Sequence, residues 1–241
     1  MQNFIKIFHL YFVMIVLVCS SSKAYSIQNY RIAKKILENK IYINDSERET
    51  FYCKCNYTKS KEILTDKCRY KVRKDKSRGK RMEWEHIVPA SFFGQHRVCW
   101  KKSRAVCGGD IGGRECCRKK DSAFRMMEGD MHNLVPSVGE LNADRQNFPY
   151  DEVPEEVRNY GKCDFEVDFA RDIVEPPEFV RGDIARAYLY MHDKYDIGLS
   201  KSQVERFKKW HKQDPPSEWE KVRNKRIGAI QGNINRHISE Q

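Results

Sequence analysis

The sequence predicts an α+β protein: a single mixed domain, cross-linked by disulfides, with short extended segments early and helices in the last third. Three observations carry that expectation. Cysteines are dense, nine in 241 residues. From Glu175 onward apolar residues recur at helical spacing. No repeat, low-complexity tract or Pro/Gly/Ser-rich linker divides the chain. With 33% charged residues and a mean hydropathy of −0.76, a polytopic membrane protein is excluded. Twelve Tyr, twelve Phe and four Trp are too many for wholesale disorder.

The chain begins with what reads as an export signal. Lys6 precedes an apolar run from Leu10 to Cys19, followed by Ser20-Ser21-Ser22-Lys23-Ala24. Residues 1–24 are therefore expected to be removed, leaving a mature domain of residues 25–241. The apolar run is too short to span a bilayer comfortably, so no stable membrane association is expected afterwards. Removal also takes Cys19 and leaves Cys53, Cys55, Cys68, Cys99, Cys107, Cys116, Cys117 and Cys163. An even set behind an export signal reads as disulfides, with the pairing open. Cys53-x-Cys55 and Cys116-Cys117 lack the ligand gaps of a zinc site.

Tyr30 to Leu37 is expected to form a short helix, and Thr50–Cys55 and Arg69–Arg73 short strands. The glycine-dense stretch Gly108 to Gly113 lacks the Walker lysine and dinucleotide spacing, and is read as a loop. Pro176 and Pro177 can open a first turn. Val180, Ile184, Ala187, Tyr188, Met191 and Tyr195 then trace one helix face, best explained as core. A further helix is expected from Ser200 as N-cap to about Lys212, stopped before Pro215-Pro216.

Charge is uneven. Forty-five Lys and Arg oppose 34 Asp and Glu, a net +11; losing Lys6 and Lys23 leaves +9. Between Lys67 and Arg81 lie nine basic residues and one acid, Asp75. Such a chain attracts polyanions. The interleaved Tyr70 and Val72 would place Arg69, Lys71 and Arg73 on one strand face, a strip that holds phosphates without reading sequence. A solvated face is the bland alternative.

The chemistry is concentrated immediately afterwards. Glu83, Glu85 and His86 fall within four residues. His86 titrates near neutrality and suits a general base, and Glu85 can ligate a hard divalent cation. Neighbours on a strand face opposite ways, so these two share a site only at a strand end or bulge, for which Pro89 argues. A second polar cluster spans Asp130–Pro136 and Gly139–Arg145, where the amide oxygen of Asn142 would complete a hard-metal site.

Glu83-Trp-Glu-His-Ile-Val-Pro-Ala90, Phe93-Gly94, Cys99-Trp100, Met131-His-Asn-Leu134, Gly139-Glu-Leu-Asn142 and Asp144-Arg-x-Asn-Phe148 resemble the endonuclease I family, non-specific bacterial nucleases of the periplasm or exterior. The likeness continues through Glu175-Pro-Pro177, Arg181-Gly-x-Ile-Ala-Arg186 and Gln231-Gly-Asn233. It implies a ββα-metal (His-Me) finger, with His86 as general base and Glu85 and Asn142 as ligands of Mg²⁺, for which Mn²⁺ or Ca²⁺ would substitute. It also implies Arg114 as the arginine that stabilises the phosphate, with Arg118 as the fallback because residues 101–113 are longer than usual. His132 and Asn133 would brace the finger. The expected partner is DNA, and RNA as well, cut by a monomer without sequence preference.

One departure is specific to this chain. Family members commonly carry a cysteine after Trp-Glu in the C-terminal region and another at the end, but Lys221 and Gln241 stand there. Cys107 and Cys116 occur instead in the stretched loop beside Arg114, so a loop staple is expected in place of a C-terminal one. The rival reading is a secreted, disulfide-rich module that binds polyanions without cutting; the coexistence of Glu85, His86, Arg114 and Asn142 argues against it.

Overall fold

Three two-stranded antiparallel sheets are set among helices. The structure is a computed structural model and describes residues 29–155 and 157–239; the expected signal segment, residues 1–24, lies outside them. Among the described residues β1 (Asn56–Tyr57) pairs with β2 (Ile63–Leu64), β3 (Met82–His86) with β4 (Leu134–Val138), and β5 (Glu166–Asp168) with β6 (Ile173–Glu175). The longer helices are α1 (Tyr30–Ile36), α2 (Gly113–Lys120), α3 (Ser122–Glu128), α4 (Gly139–Arg145), α5 (Arg181–Tyr195), α6 (Lys201–Gln213) and α7 (Glu218–Gln231). No helix among the described residues is long and apolar enough to cross a membrane.

The helical last third forms as the spacing predicts. Ser200 caps α6 and Ser217 caps α7, each in a reciprocal capping box, with Gln203 and Glu220 respectively. Val180, Ile184, Ala187, Tyr188 and Met191 are buried, and Tyr188 stacks on Phe207 of α6 at 4.4 Å between ring centroids. Arg186 of α5 is fully buried and forks onto Glu220 of α7 through two bonds of 2.7 and 2.8 Å. Such a pair fixes how the helices meet, because separating it would strand a buried charge.

Two expected strands do not form. Thr50–Cys55 is a turn: Lys54 sits at φ 52°, and Thr50 both donates to the Cys55 carbonyl and receives the Lys54 amide. Cys53 and Cys55 are bonded in different directions, to Cys163 and Cys68, which holds that turn. Arg69 is also left-handed, at φ 54°, and only Tyr70 makes an isolated bridge, to Gly161. The next backbone amides, of Arg73, Lys74 and Asp75, converge on the Glu140 carboxylate at the start of α4. Burial disfavours that charge, but the Tyr70 hydroxyl and the three amides outweigh it and hold the carboxyl below its ordinary range. Arg69 and Lys71 are exposed while Arg73 leans onto Asp144, so they do not share one strand face.

All eight cysteines outside the expected signal are paired: Cys53–Cys163, Cys55–Cys68, Cys99–Cys117 and Cys107–Cys116. The last is the expected loop staple. It and Cys99–Cys117 grip adjacent residues of α2, the helix that carries Arg114.

Candidate active site

β3 pairs with β4 and α4 follows β4 directly, although 47 residues, α2 and α3 among them, separate the paired strands. Glu85 lies opposite Val135 and His86 opposite Leu134. His86 is the last residue of β3, where the chain leaves the pleat and adjacent side chains can converge. Asn133 secures the exit: its side-chain oxygen accepts from the Val88 amide at 2.7 Å, and its NH₂ donates to the Val88 carbonyl at 3.0 Å. Gly139 opens α4 against the Arg78 carbonyl, which lies 2.7 Å from where a Cβ would stand. That contact excludes any larger residue without a shift.

Glu85, His86, Arg114 and Asn142 line one cleft of about 400 Å³, together with Tyr30, Trp100, Arg145 and Asn147. The four residues singled out in the sequence are thus brought together, and Arg118 is not part of the lining. A larger hollow of about 620 Å³ lies beside Pro136 and Trp219 and contains none of these four residues. There Glu47 is committed to Arg226 and Glu220 to Arg186.

His86 is 7% exposed, and its Nε2 lies 2.9 Å from the Glu128 backbone carbonyl. A carbonyl only accepts, so Nε2 carries the proton and the lone pair resides on Nδ1. The Tyr30 ring rests 4.9 Å away from the imidazole. Burial, then the nearby Arg114 charge, pull the His86 pKa down to about 3, which keeps the ring neutral and its Nδ1 lone pair free at physiological pH.

Glu128 does a second job through its side chain. Its buried carboxylate receives Arg114 Nε at 2.6 Å, and Arg118 through Nε and Nη2 at 2.8 and 2.7 Å. Burial opposes its charge, but Arg118 and Arg114 outweigh that and hold the carboxyl below its usual range. Arg114 lines the cleft and Arg118 does not, although both guanidiniums lie near the Tyr30 ring, at 5.9 and 5.7 Å from its centroid.

Glu85 is 1% exposed. Its Oε1 accepts from the Tyr52 hydroxyl at 2.7 Å, with Arg145 Nη1 at 3.6 Å, whereas its buried Oε2 has no partner among the described residues. Burial pushes this carboxyl above its ordinary range, against the pull of Arg145 and Tyr52. Asn142 donates from Nδ2 to Glu83 Oε2 at 2.9 Å, which leaves its Oδ1 as the acceptor. Glu83 is itself pinned by Arg78 and Arg81. One orphaned carboxylate oxygen and one oriented amide oxygen suit a hard cation that keeps several waters, and so fit Mg²⁺.

A family model described as Endonuclease I matches residues 16–241. The chain belongs to the endonuclease I family. It is 44% identical over 229 residues to an extracellular deoxyribonuclease of Aeromonas hydrophila, covering 93% of this chain and 94% of that protein. A periplasmic deoxyribonuclease of the same species is 42% identical over 229 residues, covering 93% and 91%. Endonuclease-1 of Buchnera aphidicola subsp. Acyrthosiphon pisum is 43% identical over 219 residues, covering 90% and 82%.

Four contributors were not legible as site residues. Tyr30 and Tyr52 reach the site from segments 56 and 33 residues before His86 and Glu85. Glu128 acts partly through its backbone, which no side chain advertises. Arg145 is 1% exposed and donates to the His86 and Ile87 carbonyls at 2.9 and 2.7 Å. It lies three residues after Asn142 on the same face of α4, and that spacing is the signal that would have found it.

Proposed function

We propose that this cleft is the active site of an exported, Mg²⁺-dependent endonuclease that cuts without sequence preference, and that β3, β4 and α4 form a ββα-metal (His-Me) finger. The observation that carries the reading is the convergence of Glu85, His86, Arg114 and Asn142 on one cleft, with the His86 tautomer set for proton abstraction. The names of the relatives support export and DNA as substrate.

Glu85 Oε2 and Asn142 Oδ1 are the atoms that would hold the metal. The chemistry expected from Mg²⁺ there is Lewis-acid polarisation of the phosphate and of the departing 3′ oxygen. His86 accepts the proton of the attacking water at Nδ1. Arg114, fixed by Glu128, places positive charge where the phosphate gains negative charge. The P–O3′ bond breaks and leaves 5′-phosphate and 3′-hydroxyl ends. No group in the arrangement calls for a 2′-hydroxyl, so RNA fits as well as DNA. The exposed Lys67, Arg69, Lys71, Lys74 and Lys76 supply a phosphate-binding surface beside α4.

Incubating the oxidised protein with supercoiled plasmid in Mg²⁺ and in EDTA tests the reading. Nicking and linearisation in Mg²⁺ alone are expected. A plasmid that shifts on a gel in both buffers yet is never cut would make this a binding module.

A further inference from the structure

The β5–β6 hairpin holds an exposed aromatic against the segment that leaves α4. Tyr150 pairs in parallel with Val174 of β6, and the Val174 amide donates to the Pro149 carbonyl. β6 thus lies beside the segment that follows α4. Asn147 of that segment lines the cleft, and its neighbour Phe148 meets Phe169 of the hairpin tip, residues 169–172.

Phe169 is at that tip and is 43% exposed. The Arg73 guanidinium lies over its ring at 4.8 Å from the centroid, and Phe148 meets it edge-on at 6.4 Å. Arg73 is in turn held by Asp144 of α4, through Nε at 3.0 Å and Nη2 at 2.9 Å. The tip is a built turn: Asp168 accepts from the Ala170 and Arg171 amides at 2.9 and 3.0 Å and pairs with Arg171 Nε at 2.6 Å. A large apolar ring is thus held partly in the open, with Arg73 over it and the Asp168–Arg171 pair beside it.

We infer that Phe169 is a substrate contact: its ring stacks on a nucleobase of the strand being cut, beside the phosphate held in the cleft. A phenyl ring gains nothing from phosphates, which the neighbouring lysines and arginines already serve. Every base has a π-face, so stacking adds affinity without adding sequence preference, as a non-specific nuclease requires. Arg73 lies over the ring, and the exposed part of the ring is open to a planar partner. The contact rests on the proposed nuclease reading and names the surface by which that site grips bases.

Two variants test it. Phe169→Ala is expected to raise KM for a single-stranded oligonucleotide about five- to tenfold, the low end for a base–aromatic stack, with kcat little changed. In EDTA, its affinity for the same oligonucleotide should fall by a similar factor, and its affinity for an abasic oligomer of equal length should not. Phe169→Trp keeps the ring, and its added emission relative to the wild type should be quenched by the oligonucleotide but not by the abasic oligomer. Equal affinities of wild type and Phe169→Ala, or emission from Phe169→Trp indifferent to the bases, would overturn the contact while leaving the nuclease intact. If the wild type never cuts but the tryptophan is still quenched, the nuclease reading fails and the base contact stands.

Discussion

His86 Nε2 lies 2.9 Å from the backbone carbonyl oxygen of Glu128, whose carboxylate simultaneously holds Arg114 at 2.6 Å. A single residue on α3 thereby sets the tautomer of the proposed base and the position of the proposed phosphate-stabilising charge. The base stays neutral because burial and Arg114 both oppose a proton on the ring.

The two arginines on Glu128 should separate kinetically. Arg114 lines the cleft and Arg118 does not. Arg114→Ala is expected to lower kcat about 100- to 1,000-fold, the usual cost of losing a preorganised charge at the transition state. Arg118→Ala should cost less than about tenfold, because its guanidinium does not line the cleft. Steady-state plasmid cleavage decides, and the reverse order would move the phosphate to Arg118.

Glu83 orients Asn142, so its loss should be felt as a metal requirement. Glu83→Ala frees the amide to turn its NH₂ toward the cation site. The Mg²⁺ concentration for half-maximal activity should then rise about 10- to 100-fold, with most of kcat recovered at saturation. An unchanged Mg²⁺ curve would show that Glu83 serves only Arg78 and Arg81.

The Cys107–Cys116 staple spans nine residues and anchors α2. Non-reducing peptide mapping should recover that link. The Cys107→Ser, Cys116→Ser double variant should lose up to about 2.5 kcal/mol of stability by loop-closure entropy. Its kcat should also fall, because Arg114 rides on a helix then held by one disulfide, Cys99–Cys117, in place of two. Two free thiols in the wild type would contradict the pairing.

His132 predicts a loss of stability in mild acid. It is 2% exposed, and burial pulls its pKa down to about 4 despite Asp130 nearby. In the unfolded chain the same ring gains a proton near its ordinary pKa of about 6.5. Between those values the unfolded state binds more protons, so stability falls as pH drops from about 6.5 toward 4. At pH 5 this one group is expected to cost about 2 kcal/mol relative to pH 7. Urea titrations of wild type and His132→Gln at both pH values should show the pH penalty shrinking by that amount in the variant.

What the sequence made legible was local. Glu85, His86 and Asn142 stand in short motifs whose chemistry shows in their side chains, and Ser200 and the apolar spacing of α5 mark helices without help from the rest of the fold. The misread strands failed for a local reason with a distant cause. Lys54 and Arg69 adopt left-handed backbone because disulfides and the Glu140 carboxylate hold the chain there. Tyr30, Tyr52 and Glu128 join the site through long-range packing and a main-chain carbonyl, neither of which a residue type announces. The basic strip divides: Arg73, Arg78 and Arg81 are occupied by Asp144 and Glu83, an internal use that the charge count does not reveal.

The central claim is that His86 is the general base of a metal-dependent nuclease cleft. Plasmid nicking by wild type and His86→Ala in saturating Mg²⁺, with gel-shift affinity measured in EDTA, tests it most directly. The account predicts that the variant binds plasmid as tightly as the wild type while its cleavage rate falls about 100-fold or more. A His86→Ala protein that nicks as fast as the wild type would contradict it.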